Sequence, residues 1–184
     1  MNQYFYDRVA NSKAHRPIRD ELSGEVLNNH DLLPNLLAIA FNVKDKNHHK
    51  ACWIMELVFE AKIDRLTPHL EDFGNTLQSF KHESALRPVS KICQFAAEKN
   101  DKAAGFIKGK QLQQVIEACF DWLINPEGKV ATKAYAMRAL FLIGKKEDWI
   151  YPELQVILSQ DFPNHTAAYK AAAKDILKKI SQHK

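Results

Sequence analysis

Apolar residues return every three or four positions from Lys46 to Ile180, and no segment keeps the two-residue alternation of a half-buried strand. The pattern divides into helix pairs. One pair places Ala51, Ile54, Met55 and Val58 on one face, then Leu66, Leu70, Phe73, Leu77 and Phe80 on the face of its partner. The next gives Ala85, Val89, Ile92, Cys93 and Ala96, followed by Leu112, Val115, Ile116, Cys119 and Leu123. A third gives Ala134, Met137 and Phe141, then Ile150, Leu154, Ile157 and Leu158. A last helix starts near Thr166, with Tyr169, Ala172, Ala173, Ile176 and Ile180 inward. Upstream, 20–29 and 32–43 read as a further pair, and residues 1–18 as an arm without clear period, packed by Tyr4, Phe5 and Tyr6 or frayed. The expectation is a chain more than half helical, with no sheet.

The helices repeat. A histidine three residues before an alanine opens a helix at His48 with Ala51, at His82 with Ala85 and at His165 with Ala168. Ala131 with Ala134 is a fourth copy lacking the histidine. The alanines are 34, 49 and 34 residues apart, so two intervals equal one helix–turn–helix unit and the middle one carries 15 residues more. Small residues at recurring positions predict equivalent, buried sites of close helix approach for all four. Pro68 and Pro152 follow their repeat alanines by 17 and 18 residues and mark helix starts, where a missing N–H goes unnoticed. Pro88 predicts a bend near 84–88 or a helix beginning there. The excess falls at 98–110, whose two glycines and four lysines read as a surface loop, either functional or a tolerated insertion.

These units resemble HEAT-like, armadillo-type α-solenoid repeats. The segments that carry the resemblance are Ser84-Ala-Leu-Arg-Pro-Val-Ser-Lys-Ile-Cys93 and Ala134-Tyr-Ala-Met-Arg-Ala-Leu140, with small residues, a basic residue and, in the first, an internal proline. It covers 45–184, extending to 19 if the upstream pair is included. The resemblance implies an all-α fold: a short right-handed α–α superhelix of about four helix pairs, with the second helices lining a concave face. Its members are mostly scaffolds or binders; the DNA-alkylation repeat proteins are similar in architecture but usually longer. The domain reading is an arm over 1–18 and one solenoid domain over 19–184. In general look the chain also resembles small bacterial helical proteins associated with adenylosuccinate lyase, but it lacks that enzyme's serine-rich loop ending in Met-Pro-x-Lys-x-Asn.

Composition alters this picture little. The 184 residues are 46% hydrophobic and 26% charged, ordinary for a globular chain and enough to bury a core. No apolar run reaches the length of a membrane span. The first ten residues carry Asp7 and Arg8 and lack the apolar centre of a secretory signal, so a cytoplasmic location is expected. Cys52, Cys93 and Cys119 read as buried thiols rather than a disulfide framework. Charge is uneven: residues 1–92 hold 12 basic and 12 acidic side chains, residues 93–184 hold 14 and 10.

Candidate chemistry is sparse. His48, His82 and His165 could form a ladder along the stack, and His48 with Cys52 has ligand spacing, but helices about 10 Å apart would keep a ladder from converging on one ion. These histidines therefore read as helix-entrance residues, and Glu56 with Glu60, and Glu71-Asp72, as solvated charges. There is no phosphate loop, nucleophile elbow, Cys-x-x-Cys or His-Glu-x-x-His, and no cofactor is expected. What remains is a binding surface. Trp53 lies off its helix's apolar stripe and Trp122 beside Leu123, so both could face a groove. With Arg87 and Arg138, and with Lys108 and Lys110 on the insertion, they form the candidate site. The leading expectation is a non-enzymatic module taking a protein or peptide on its concave face. The alternatives are nucleic-acid binding through the basic second half, and a small-ligand or lyase pocket between repeats.

Overall fold

The computed structural model describes residues 2–161 and 165–183, and among them helices and turns account for all regular structure, with no strand. The chain forms two compact units, residues 1–92 and 93–184.

In the first unit, α1 (Gln3–Asn11) is capped by the Asn2 side chain, which accepts from the Phe5 N–H, and it buries Phe5 and Val9 one turn apart. The stretch read as an arm without period is thus a helix, laid against α3 (Leu32–Phe41) and α4 (His48–Ala61). Between α1 and α3 runs α2 (Arg16–Asn28), which starts four residues before the expected Asp20 because Pro17 suits the first helical turn.

The centre of this unit is α4. Nine of its 14 residues are buried, because α1, α2 and α3 and the segment that follows cover it on several sides. A helix apolar nearly all round belongs in such a place. The partner expected after α4 is not one helix. It is a 3-10 segment (Ile63–His69) containing Pro68, then α5 (Leu70–Thr76), then a 3-10 turn (Leu77–Ser79). Its inward set is nonetheless the predicted one at Leu66, Phe73, Leu77 and Phe80, with Leu70 half-buried. The unit closes with the first ten residues of α6 (Glu83–Lys102).

The second unit contains the rest of α6, then α7 (Gly109–Ile124), α8 (Val130–Gly144), α9 (Ile150–Asp161) and α10 (Ala167–Ser181). Its central helix is α8, packed against α7, α9 and α10. Nine of its 15 residues are buried. Gly144 ends α8 against the Tyr151 ring: a Cβ there would lie 2.4 Å from the ring, so the close crossing of α8 and α9 requires glycine. That ring is fixed by stacking on Phe141 and by its hydroxyl, which donates to the Phe141 carbonyl at 3.1 Å.

Two sequence expectations are corrected. The lysine-rich stretch 98–110 is mostly helical: α6 runs on to Lys102, and only 103–108 form a connection. That connection is organised by Asn100, whose side-chain oxygen accepts from the backbone N–H groups of Gly105 and Ile107, while Ile107 is buried. The alanine register also holds only in the first unit. Ala51 and Ala85 are fully buried, but Ala134 is half-buried and Ala168 exposed. Ala51 and Ala85 are the fourth and third residues of their helices, Ala134 the fifth and Ala168 the second, so equal spacing along the chain did not mean an equal face. In α8 and α10 the buried alanines are Ala136, Ala139 and Ala173.

Candidate interaction surfaces

In the first unit Trp53 and Arg87 come together, but around a buried carboxylate rather than in an open groove. Glu56, on the inward side of α4, is 1% exposed. Its oxygens accept from Arg87 at 3.0 Å, Lys91 at 3.1 Å and, more weakly, Arg19 at 3.4 Å. Lys91 also reaches Glu60 at 3.0 Å. Burial works against the charge on Lys91, but the hydrogen bonds to Glu60 and Glu56 outweigh it and raise its pKa; burial dominates at Arg19 and lowers it. A carboxylate out of water needs such partners, since an unpaired buried charge is costly. Glu56 is therefore not the solvated charge that its spacing from Glu60 suggested. It ties α2 and α6 to α4.

Trp53 has a structural task as well. Pro88 lies in the second turn of α6 and cannot donate to the Ser84 carbonyl. The Trp53 indole N–H donates to that carbonyl at 2.8 Å, replacing the lost helix bond. The helix accordingly begins at Glu83 and continues through Pro88. Arg19 donates to the Trp53 carbonyl at 3.1 Å, completing a connection from α2 through α4 to α6.

Beside Trp53 the sequence expectation about the histidines fails in one respect. His48 and His82, one repeat apart, do converge, and His49 joins them. Ring centroids lie 5.5 Å apart for His48 and His82, 5.8 Å for His48 and His49, and 4.2 Å for the stacked pair His49 and His82. His165 belongs to the other unit. The stacked rings are parallel within 9°, and imidazole lone pairs lie in the ring plane, so the two cannot point at one ion. Among the described residues no group of three His, Cys, Asp or Glu side chains could hold a metal. His48 is buried, with Nδ1 2.8 Å from the Asp45 carbonyl, and His82 Nδ1 accepts from the Ser84 N–H at 3.2 Å. Burial, and then the charges of His82, His48 and Lys50, lower the pKa of His49.

The second unit separates the other four candidates. Trp122 points inward and is only 7% exposed, contrary to the expectation that it faces a groove. Arg138 is exposed on α8, its guanidinium 5.9 Å from the Tyr135 ring. Lys108 and Lys110 are exposed at the start of α7. Trp53, Arg87 and Arg138 stand on first helices of their pairs, whereas the expected lining was the second helices.

The second helices of this unit, α7 and α9, carry a surface that the sequence reading passed over. Trp149, just ahead of α9, is 48% exposed and stacks on Phe120 of α7 with centroids 5.8 Å apart. Ile124, one turn beyond Phe120, is 55% exposed, and Val156, two turns beyond Trp149, is 51% exposed. The open Trp149 ring over Phe120, with Ile124 one turn further along α7, leaves apolar surface of the kind that marks interaction sites, and Val156 is open two turns further along α9. The signal available in the sequence was that Phe120, Ile124, Trp149 and Val156 all fall outside the inward stripes. The three cysteines are free and buried. Burial first, and the hydrogen bond with Cys119, push the Cys93 thiol up, while burial pushes up Cys52, so none of these features favours a nucleophile.

The family model of a HEAT repeat domain matches residues 7–180. No curated protein and no solved structure matches the chain. Nothing in the family match supports the lyase association, and no described helix is long and apolar enough to cross a membrane.

Proposed function

The chain belongs to the HEAT repeat family, and on that premise we propose that it is a protein-interaction module whose second helices, α7 and α9, carry the recognition surface. HEAT repeats generally serve as protein-interaction scaffolds. The observation that carries the reading is the exposed Trp149 stacked on Phe120, with Ile124 open beside it. Tryptophan burial in a complex is among the largest single contributions an interface residue makes, often above about 2 kcal/mol. The stacking on Phe120 already fixes the ring, so little rotamer freedom remains to be lost on binding. Trp53 and Arg87 support the fold of the first unit in this reading, and Trp122 belongs to the core of the second.

The test is affinity capture from native cells with the wild-type chain and with Trp149→Ala, each with and without nuclease. The expected result is a set of proteins retained after nuclease and lost with Trp149→Ala. Partners that disappear with nuclease, and that depend on Lys108, Lys110 and Arg138 instead, would transfer the function to nucleic-acid binding.

A further inference from the structure

We propose that the α7–α9 surface recognises a basic amphipathic segment of its partner protein, apolar on one face and bearing lysine or arginine on its flanks. This rests on the interaction-module reading and adds the chemistry of the partner. The argument starts from what surrounds the apolar patch. On α7 the exposed face that carries Phe120 and Ile124 also carries Glu117 and Asp121, three positions before Phe120 and immediately after it. On the other side Asp148 adjoins Trp149, and Glu153 lies between Trp149 and Val156 on the same face of α9. All four carboxylates are exposed, and among the described residues none is held in an ion pair. The nearest cation on this face of α7 is Lys110, ten residues before Phe120, about 15 Å away at the helical rise.

This local sign runs against the whole. Residues 93–184 carry four more basic than acidic side chains, yet much of that excess stands elsewhere, with Arg138 on α8, Lys174, Lys178 and Lys179 on α10, and Lys102 and Lys108 on the α6–α7 connection. In the turn just before Asp148 and Trp149, Lys145 is paired with Asp101 and Lys146 donates to the Asn100 carbonyl. An apolar strip edged by uncompensated carboxylates in an otherwise basic unit repels nucleic acid and acidic partners and attracts basic ones. The strip matches a helix in reach: Trp149 to Val156 spans about 10 Å along α9, or two turns of an amphipathic ligand helix.

Isothermal titration with two synthetic 18-residue probes tests this. One is a leucine–lysine amphipathic helix; the other has the same leucines with glutamate at every lysine. Wild-type protein should bind the lysine peptide at least tenfold more tightly than the glutamate peptide. Trp149→Ala should weaken the lysine peptide at least fivefold. The double variant Asp121→Lys/Glu153→Lys should weaken it further and bring the glutamate peptide to equal or better affinity. Arg138→Ala, on another helix face, should change neither. The four substituted side chains are all exposed, so the folded structure is not at stake. The proposal is overturned if the lysine peptide does not bind, if the two peptides bind equally to wild type, or if the charge-reversed variant keeps the wild-type preference. Nuclease-resistant protein capture by wild type alongside any of these results would leave the module reading standing and refute only the basic partner. Loss of all captured protein on nuclease treatment would remove the module reading itself.

Discussion

The central helices of the two units, α4 and α8, are built alike and stabilised differently. Each is covered on several sides, and each buries one carboxylate or amine side chain, Glu56 in α4 and Lys133 in α8. Around the buried Glu56 three cations from α2 and α6 converge, each keeping some access to water, so the first unit is held by a polar network, with Trp53 and the histidine cluster beside it. In the second unit Lys133 sits 5.9 Å from the centre of the Tyr169 ring, and close packing at Gly144 and the apposed Cys93 and Cys119 are the prominent contacts. The lesson concerns where an aromatic residue is left for a partner. The first unit uses its off-stripe tryptophan internally, because Pro88 leaves a carbonyl that needs a donor. Among the described residues of α7 and α9 no proline follows the first helical turn, and the off-stripe Trp149 stays at the surface.

The comparison breaks most clearly at Glu56. Glu56→Ala would leave Arg19, Arg87 and Lys91 facing an empty site. Since these cations keep some access to water, the expected loss is about 2–4 kcal/mol, somewhat below that for a fully buried pair. Urea denaturation checks it, and a midpoint within error of wild type would show that the network is ornamental. The matching test in the second unit is Gly144→Ala, whose methyl group meets a Tyr151 ring fixed on two sides. Overpacking of this kind costs about 1–3 kcal/mol; recovery in Gly144→Ala/Tyr151→Ala would locate the effect at that ring.

A smaller effect tests the role given to Trp53. Trp53→Phe keeps the ring but leaves the Ser84 carbonyl without its donor, an expected cost of about 1 kcal/mol. Pro88→Ala restores a backbone N–H at that position, so the double variant should lose less than the sum of the singles. Strict additivity in the denaturation cycle would mean that the indole bond does not compensate for the proline.

The smallest effect is the pH dependence of the first unit. The pKa of His49 is lowered in the folded chain, first by burial and then by His82, His48 and Lys50. The unfolded chain therefore binds more protons between the folded value and the ordinary histidine value near 6.5, and stability rises with pH across that window. Acidification from pH 7.5 should cost stability as the pH falls below about 6.5, levelling off below the folded value. His49→Phe should flatten this slope; an unchanged slope would assign the dependence to other groups.

Helix content and the inward stripes of α4, α6, α7 and α9 follow from three- and four-residue periodicity, which acts locally and survives in one chain read alone. Burial of Ala51 and Ala85 was legible for the same reason. The face of Ala168 was not, because a helix's rotation depends on where it starts, and Thr166, whose hydroxyl accepts from the Tyr169 N–H, starts α10 only two residues before it. Glu56 read as solvated because its three partners lie 37, 31 and 35 positions away, on helices that only packing brings together. Trp53 and Trp149 are both off-stripe in sequence, and nothing local separates them. Tertiary structure decided between them by supplying an acceptor to one and only a stacking ring to the other.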